Sequence, residues 1–311
     1  MKKLSLLNNM VSLFVVLAVV LIIFPLPPAL LDMMFVLNLT ISFVILFTTM
    51  YIREALEFSI FPSLLLITTI FRLALNVSST RLILLEKGQA GQVIKTFGEF
   101  VIQGNVVVGL IIFLIIVIVQ FVVITKGAER VAEVSARFTL DAMPGKQMAI
   151  DADLSSGLID EATARIRRSK IQREADFFGS MDGASKFVKG DAIISIIVAF
   201  INLIGGMIMG FMDKVGSFAE IASIYSTATV GDGLMSQIPA LLISVATGMI
   251  VTRSASENNL NEDVSQQFLS QPTVLIMAGS VMACLVFIGF PPVQVLSMSA
   301  LLITLGILAR R

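Results

Sequence analysis

Residues 189–211 read KGDAIISIIVAFINLIGGMIMGF. After Lys189, Gly190 and Asp191 come twenty residues with no charge, from Ala192 to Phe211. At 1.5 Å per residue they reach about 30 Å as a helix, the thickness of a bilayer's hydrocarbon. Within them Gly206 and Gly210 form a GxxxG pair, which lets another helix approach closely. Charge and hydrocarbon meet at Asp191, so a carboxylate at the mouth of a membrane helix is the first candidate for chemistry.

Upstream of this border, Lys126–Asp191 is the one long polar segment. It holds 11 of the chain's 22 Lys+Arg and 11 of its 22 Asp+Glu, half the charge in about a fifth of the length. Val131, Val134 and Phe138 recur at helical spacing, Met143-Pro144-Gly145 predicts a turn, and a second helical pattern runs from Leu158 to Phe178. Asp151 and Asp153 are too sparse for a calcium loop. Arg167, Arg168 and Lys170 suit anionic lipid head groups. The segment reads as a charged helical loop on the cytoplasmic side, either tying subunits together or coupling to the membrane part.

Apolar runs fill the rest. They lie at about 10–24, 30–50, 56–71, 106–125, 191–212, 239–252, 272–290 and 292–308. The chain is 56% hydrophobic and 14% charged, with mean hydropathy +0.93. The reading is an all-α polytopic bundle of about eight spans, with halves at 1–125 and 191–311 around a loop at 126–190. Met1-Lys2-Lys3 before the first run imitates a signal peptide. Pro25, Pro27 and Pro28 follow it without a small-residue cleavage site, so the run is expected to stay as a span that ends in a tight turn. With the N-terminus in the cytoplasm, inside segments carry 17 Lys+Arg and outside segments 5, which puts both termini inside.

Several chemistries are excluded. There is no histidine, hence no His-ligated metal and no Ser-His-Asp triad. The only cysteine, Cys284, has no intrachain partner. Zero net charge gives no case for nucleic acid. No GxxxxGK[ST] phosphate loop occurs in the chain. No enzyme activity, cofactor or metal is expected, and any proton traffic falls to carboxylates or lysines.

The remaining candidates carry two readings each. Asp191 either caps the fifth helix or holds a proton at the membrane border. Asp232, in Gly231-Asp232-Gly233, reads first as a turn residue. Asn38 and Ser42 share a helix face, as helix glue or as part of an ion path. Arg72 and Arg81 bracket Asn76, Ser78, Ser79 and Thr80. That stretch is either an interfacial turn with snorkelling arginines or a broken third span lining a cavity. Residues 82–105 read as a solvent-side connection with a short helix.

Two stretches carry a resemblance. FRLALNVSSTRLIL (71–84) and AERVAEVSARFTLDAMPGKQMAIDADL (128–154) resemble the FHIPEP family, the flagellar, hypersensitive-response and invasion protein export pores. The likeness runs over essentially the whole chain. It implies a component of the export gate at the base of a flagellum or injectisome, a multi-pass protein of the bacterial inner membrane. It also implies a homo-oligomeric, nonameric ring that passes protons or sodium ions and couples their flow to protein export. The family has an aspartate at the Lys-Gly-Asp position, so Asp191, with Lys189 tuning its charge, becomes the expected ion site, and Asp232 an outer one. Arg130, Arg137 and Asp141 match charged family positions and are expected to couple loop to membrane. Other export-gate subunits, membrane lipids, an export ATPase complex, substrates and chaperones are the implied partners, the last three through a large cytoplasmic domain. The chain ends at Arg310-Arg311 and is expected to be the membrane portion alone. The alternatives are a non-conducting ring that anchors a cargo platform, and a stand-alone secondary transporter.

Overall fold

The computed structural model describes residues 2–24, 26–253, 258–288 and 290–310, so the expected turn at Pro25 lies outside the described residues. Every regular element among them is helical: α1 (Lys2–Ile23), α2 (Pro28–Tyr51), α3 (Phe61–Leu85), α4 (Gln92–Ile102), α5 (Val106–Val122), α6 (Glu129–Ser155), α7 (Glu161–Met212), α8 (Phe218–Thr252), α9 (Leu260–Leu269), α10 (Pro272–Cys284) and α11 (Pro292–Ala309). Five helices are long and apolar enough to cross a membrane, α2, α3, α7, α8 and α11. The count is seven if the bent pairs α4–α5 and α9–α10 are each one span; the apolar Ser12–Ile23 of α1 is shorter. The chain divides into two units, one of residues 1–49 and 54–254 and the other of 50–53 and 255–311.

The first unit buries polar residues beside an apolar core and leaves many large apolar side chains exposed, a surface that suits lipid. Along the apolar part of α7, Ile197, Phe200, Ile201, Ile204 and Ile208 are about half exposed, while Asp191, Asn202, Gly206 and Gly210 are buried. Lipid suits the first set, and only another helix suits the second. That helix is α8: a Cβ at Gly206 would strike the Tyr225 ring, and one at Gly210 would meet Ile221 and Tyr225. In the second unit α10 and α11 pack with Gly279 against Ser299 and Ile303, and Gly306 against Pro272 and Ile276. Cys284 is exposed there.

Four expectations about chain breaks are corrected. The third span is not broken: α3 runs unbroken through Arg72 to Arg81. No Gly or Pro follows Pro62 in it. Its polar residues are accommodated without a break, since Thr68 and Thr69 bond carbonyls one turn back and Arg72 and Asn76 find partners on other helices. Met143-Pro144-Gly145 makes no turn: Pro144 sits inside α6. Gly231-Asp232-Gly233 is likewise interior to α8, which begins at Phe218 under a Ser217/Glu220 capping box, well before Pro239. Asp191 stands mid-helix in the 52-residue α7, capped instead by Asp160, whose side chain accepts the Thr163 N–H at 2.8 Å. At about 78 Å, α7 carries the charged segment into the apolar one without interruption. On the other side a π-helical turn, Val123–Ala128, joins α5 to α6. The backbone therefore breaks neither at 125/126 nor at 190/191.

The connection at 82–105 is more than a solvent-side link. Helix α4 crosses α8 so closely that a Cβ at Gly231 would overlap the Ile94 carbonyl, and one at Gly98 the Thr227 carbonyl. The Asp32 carboxylate holds its start, accepting the Gln92 and Val93 N–H groups at 2.8 and 3.0 Å.

Candidate functional site: a buried polar seam between three helices

Three helices each contribute a polar stripe at helical spacing. On α3 the stripe is Arg72, Asn76 and Ser79; on α7 it is Asp191, Ser195 and Asn202; on α8 it is Thr229, Asp232 and Ser236. Arg72 is wholly buried, Asn202 has no exposed surface, and Asp191 and Asp232 are each 2% exposed.

At one end of the seam Arg72 meets Asp191. Its Nε donates to Asp191 Oδ2 at 2.5 Å, and Nη2 pairs with the same oxygen. The pair is therefore not a two-oxygen fork: Asp191 Oδ1 and Arg72 Nη1 have no partner. Continuing along the seam, Asn76 Nδ2 donates to Ser195 Oγ at 3.3 Å, and the Ser236 hydroxyl donates to Asn76 Oδ1. Ser236 also bonds the Asp232 main-chain carbonyl at 3.0 Å. At the far end Asn202 Nδ2 donates to Asp232 Oδ2 at 2.9 Å, and the Ser79 hydroxyl lies against the same carboxyl. A small cavity flanks the middle, between Gln120, Ser195, Ser236 and Gln237, with ≈ 10 Å³ open to water centres, room for about one molecule. Beside it Gln120 Nε2 donates to the Gln237 main-chain carbonyl at 2.5 Å.

Local sequence explains how Asp232 is enclosed. Consecutive helix positions point about 100° apart. Gly231 accepts the backbone of α4, Gly233 accepts the Phe113 ring of α5, and Asp232 between them faces α7. The glycines bring neighbours in on either side of the carboxylate.

The structure brings together Arg72, Asn76, Ser79, Asp191 and Asp232 from the candidates named in the sequence. It does not bring the others there. Lys189 turns away and pairs with Glu129 of α6 at 3.1 Å, so the cation beside Asp191 is Arg72 instead. Arg81 bonds the Ile23 carbonyl at 3.0 Å, closing the C-terminal end of α1 rather than a cavity. Arg130 pairs with Glu133 on the exposed face of α6, and Arg137 and Asp141 are exposed there without an ion pair among the described residues. Arg167, Arg168 and Lys170, read as lipid contacts, are engaged by Asp153, Asp151 and Glu54. Asn38 is buried on α2, its side-chain amide unpartnered, and the Ser42 hydroxyl donates to the Asn38 main-chain carbonyl at 2.9 Å.

Ser195, Asn202 and Ser236 were not assigned a role from sequence. The signal was there: each lies four or a multiple of three to four positions from a charged member of its own helix. For Ser236 that spacing has meaning only with Asp232 inside α8, whereas Ser195 and Asn202 lie in the apolar run that begins at Asp191.

The FHIPEP family matches residues 18–311. The chain is 56% identical over 283 residues to "Flagellar biosynthesis protein FlhA" of Bacillus subtilis (strain 168), covering 91% of this chain and 41% of that protein. It is 52% identical over 295 residues to "Low calcium response locus protein D" of Yersinia pestis, covering 94% and 42%. Against "Flagellar biosynthesis protein FlhA" of Salmonella typhimurium it is 48% identical over 289 residues, covering 91% and 42%. The chain thus spans about two fifths of the length of these curated relatives. No solved structure matches it. With a match that takes in all three polar stripes and nearly every helix, the chain belongs to the FHIPEP family.

Proposed function

We propose that this chain is the membrane portion of an export-gate component of a flagellar or type III secretion apparatus in the bacterial inner membrane. In this reading identical copies form a ring, and the α3–α7–α8 seam passes protons or sodium ions whose flow drives protein export. Other gate subunits, the export ATPase complex, substrates and chaperones meet the assembly largely through the remainder of the full-length protein. The names and extent of the relatives support the export role. One observation carries the ion role: the half-used Arg72–Asp191 pair inside a helix bundle. Burying two charges costs several kcal/mol per ion before their attraction is counted. The geometry then leaves one carboxylate oxygen and one guanidinium nitrogen without a protein partner, open to a water or an ion. An ion that crosses the membrane potential there would release about 2.3 kcal/mol per 100 mV.

A second reading has its own observation. The seam is buried, and the cavity beside its middle has room for about one water. A non-conducting ring that only anchors a cargo platform would look the same. Export by cells carrying the full-length protein separates the two. The variant Arg72→Gln/Asp191→Asn removes both charges together and so avoids stranding either. The conduit reading expects a ring that assembles but exports nothing; normal export by this variant would leave only the anchor.

A further inference from the structure

The charged hairpin of α6 and α7 leaves two sides uncovered. Its ion pairs Lys189–Glu129, Lys146–Glu174 and Arg167–Asp153 fix the register of the two antiparallel helices. Phe138 of α6 therefore stands level with Asp182 of α7, between Gly179 and Gly183. On α6, Val131 and Phe138 share one exposed side, and Phe138 is 69% exposed. On α7, Gly179, Gly183 and Phe187 share another. Phe187 is half exposed, and a Cβ at either glycine would meet nothing. At 100° per residue, each side lies about 120° around its helix from the buried alanines, Ala132 and Ala136 or Ala164 and Ala175, that face the other helix. The rotation is backward on α6 and forward on α7. Since the helices run antiparallel, the two sides look out from opposite flanks of the hairpin.

Lipid does not reach Phe138. Helix α7 runs unbroken from the hairpin into its apolar run, and Asp182 lies nine residues before Asp191, about 13 Å along the axis. Head groups extend only about 5–8 Å beyond the hydrocarbon. A phenylalanine standing out from a charged surface at that distance marks a protein contact. One hairpin thus carries an aromatic projection on one flank and an open glycine hollow on the other, both at one level. Rotation about the membrane normal keeps levels, and it sets one flank of each copy against the opposite flank of the next, the head-to-tail contact that closes a ring. We propose that Phe138 of each copy seats between Gly179 and Gly183 of the next copy, with Val131 beside the next copy's Phe187. The contact rests on the reading of a ring and names the surfaces that meet in it. A foreign partner would match one flank and leave the other bare.

Cysteine pairing tests the contact, because a disulfide forms only where two Cβ atoms come within about 4.5 Å. The full-length protein, cleared of native cysteines with Cys284→Ser among the changes, is made in two tagged forms, Phe138→Cys and Gly183→Cys. The forms are coexpressed and oxidised in their membranes. A disulfide-linked dimer that carries both tags is expected, and neither form expressed alone should give one. The double variant Phe138→Cys/Gly183→Cys should give a ladder of multimers, since each copy then offers both halves of the contact. Should Gly183→Cys fail to fold, Gly179→Cys takes its place. Absence of the mixed dimer, or as much dimer from either form alone, would overturn the contact. The size of the wild-type assembly, measured separately, addresses the ring. A wild-type multimer without the mixed dimer refutes the contact and leaves the ring standing; a monomeric wild type refutes both.

Discussion

Arg72 and Asp191 are neutral only as a pair. Either alone in the bundle would be an uncompensated buried charge, which costs about 3–5 kcal/mol. Arg72→Ala or Asp191→Ala is therefore expected to lower the unfolding stability of the purified protein by about that much. The double variant Arg72→Met/Asp191→Leu should fall near wild type, because it removes the desolvation cost along with the attraction. A double variant as unstable as the singles would mean the pair is held by contacts other than its charge. Asp232 makes the contrast: with no fixed counter-charge its replacement by Asn removes nothing that another residue depends on electrostatically. Neutralising a carboxylate therefore strands a charge at the Asp191 end of the seam and none at the Asp232 end.

Among the elements, α4 and α7 differ most from what their residues announce. Ile94, Gly98 and Ile102 make one buried face of α4, yet only its crossing with α8 shows why Gly98 and Gly231 carry no side chain. Gly231→Ala would put a methyl group into the Ile94 carbonyl. It is expected to cost about 1–3 kcal/mol and to raise hydrogen exchange across α4, whereas Gly145→Ala inside α6, with open space around it, should stabilise by up to about 1 kcal/mol and leave exchange across α4 unchanged. Equal effects at the two glycines would count against the close crossing. The charged half of α7 starts at Asp160, whose carboxyl is held below its ordinary range first by the Thr163 hydroxyl and then by the Thr163 N–H that it accepts. Because the folded-state value is depressed, the cap's contribution is complete above the usual carboxylate range and is lost as pH falls through the lowered value. Exchange at the first-turn amides of α7 should accordingly rise on acidification, and be high at every pH in Asp160→Ala; a pH response that survives in Asp160→Ala would assign it to another group.

For the molecule as a whole, apolar runs were enough to find the membrane helices, since hydrocarbon imposes length and composition together. Their ends were harder to read. Gly-Asp-Gly and Met-Pro-Gly signal turns in water, where a broken helix can bond to solvent; packed between helices the backbone has no such substitute, and α6 and α8 continue through both. Misplacing those ends put Asp191 at a helix start, with Lys189 nearby, when Arg72 lies 119 positions away in sequence. Pairings over that distance follow from the arrangement of α3 beside α7, which no local pattern specifies. The seam is legible afterwards as three stripes with spacings of three, four, seven and eleven. The exposed isoleucines and phenylalanines of α7 have an equally simple reading, as the side turned to lipid.

The account depends most on the claim that this buried polar seam moves ions. The most direct measurement is ion uptake by liposomes containing the full-length assembly, under an imposed pH or Na+ gradient, for wild type and for Arg72→Gln/Asp191→Asn. Gradient-dependent uptake by wild type that vanishes in the variant, with assembly intact in both, is the predicted result. Equal uptake in the two, or none in a fully assembled wild type, would contradict it.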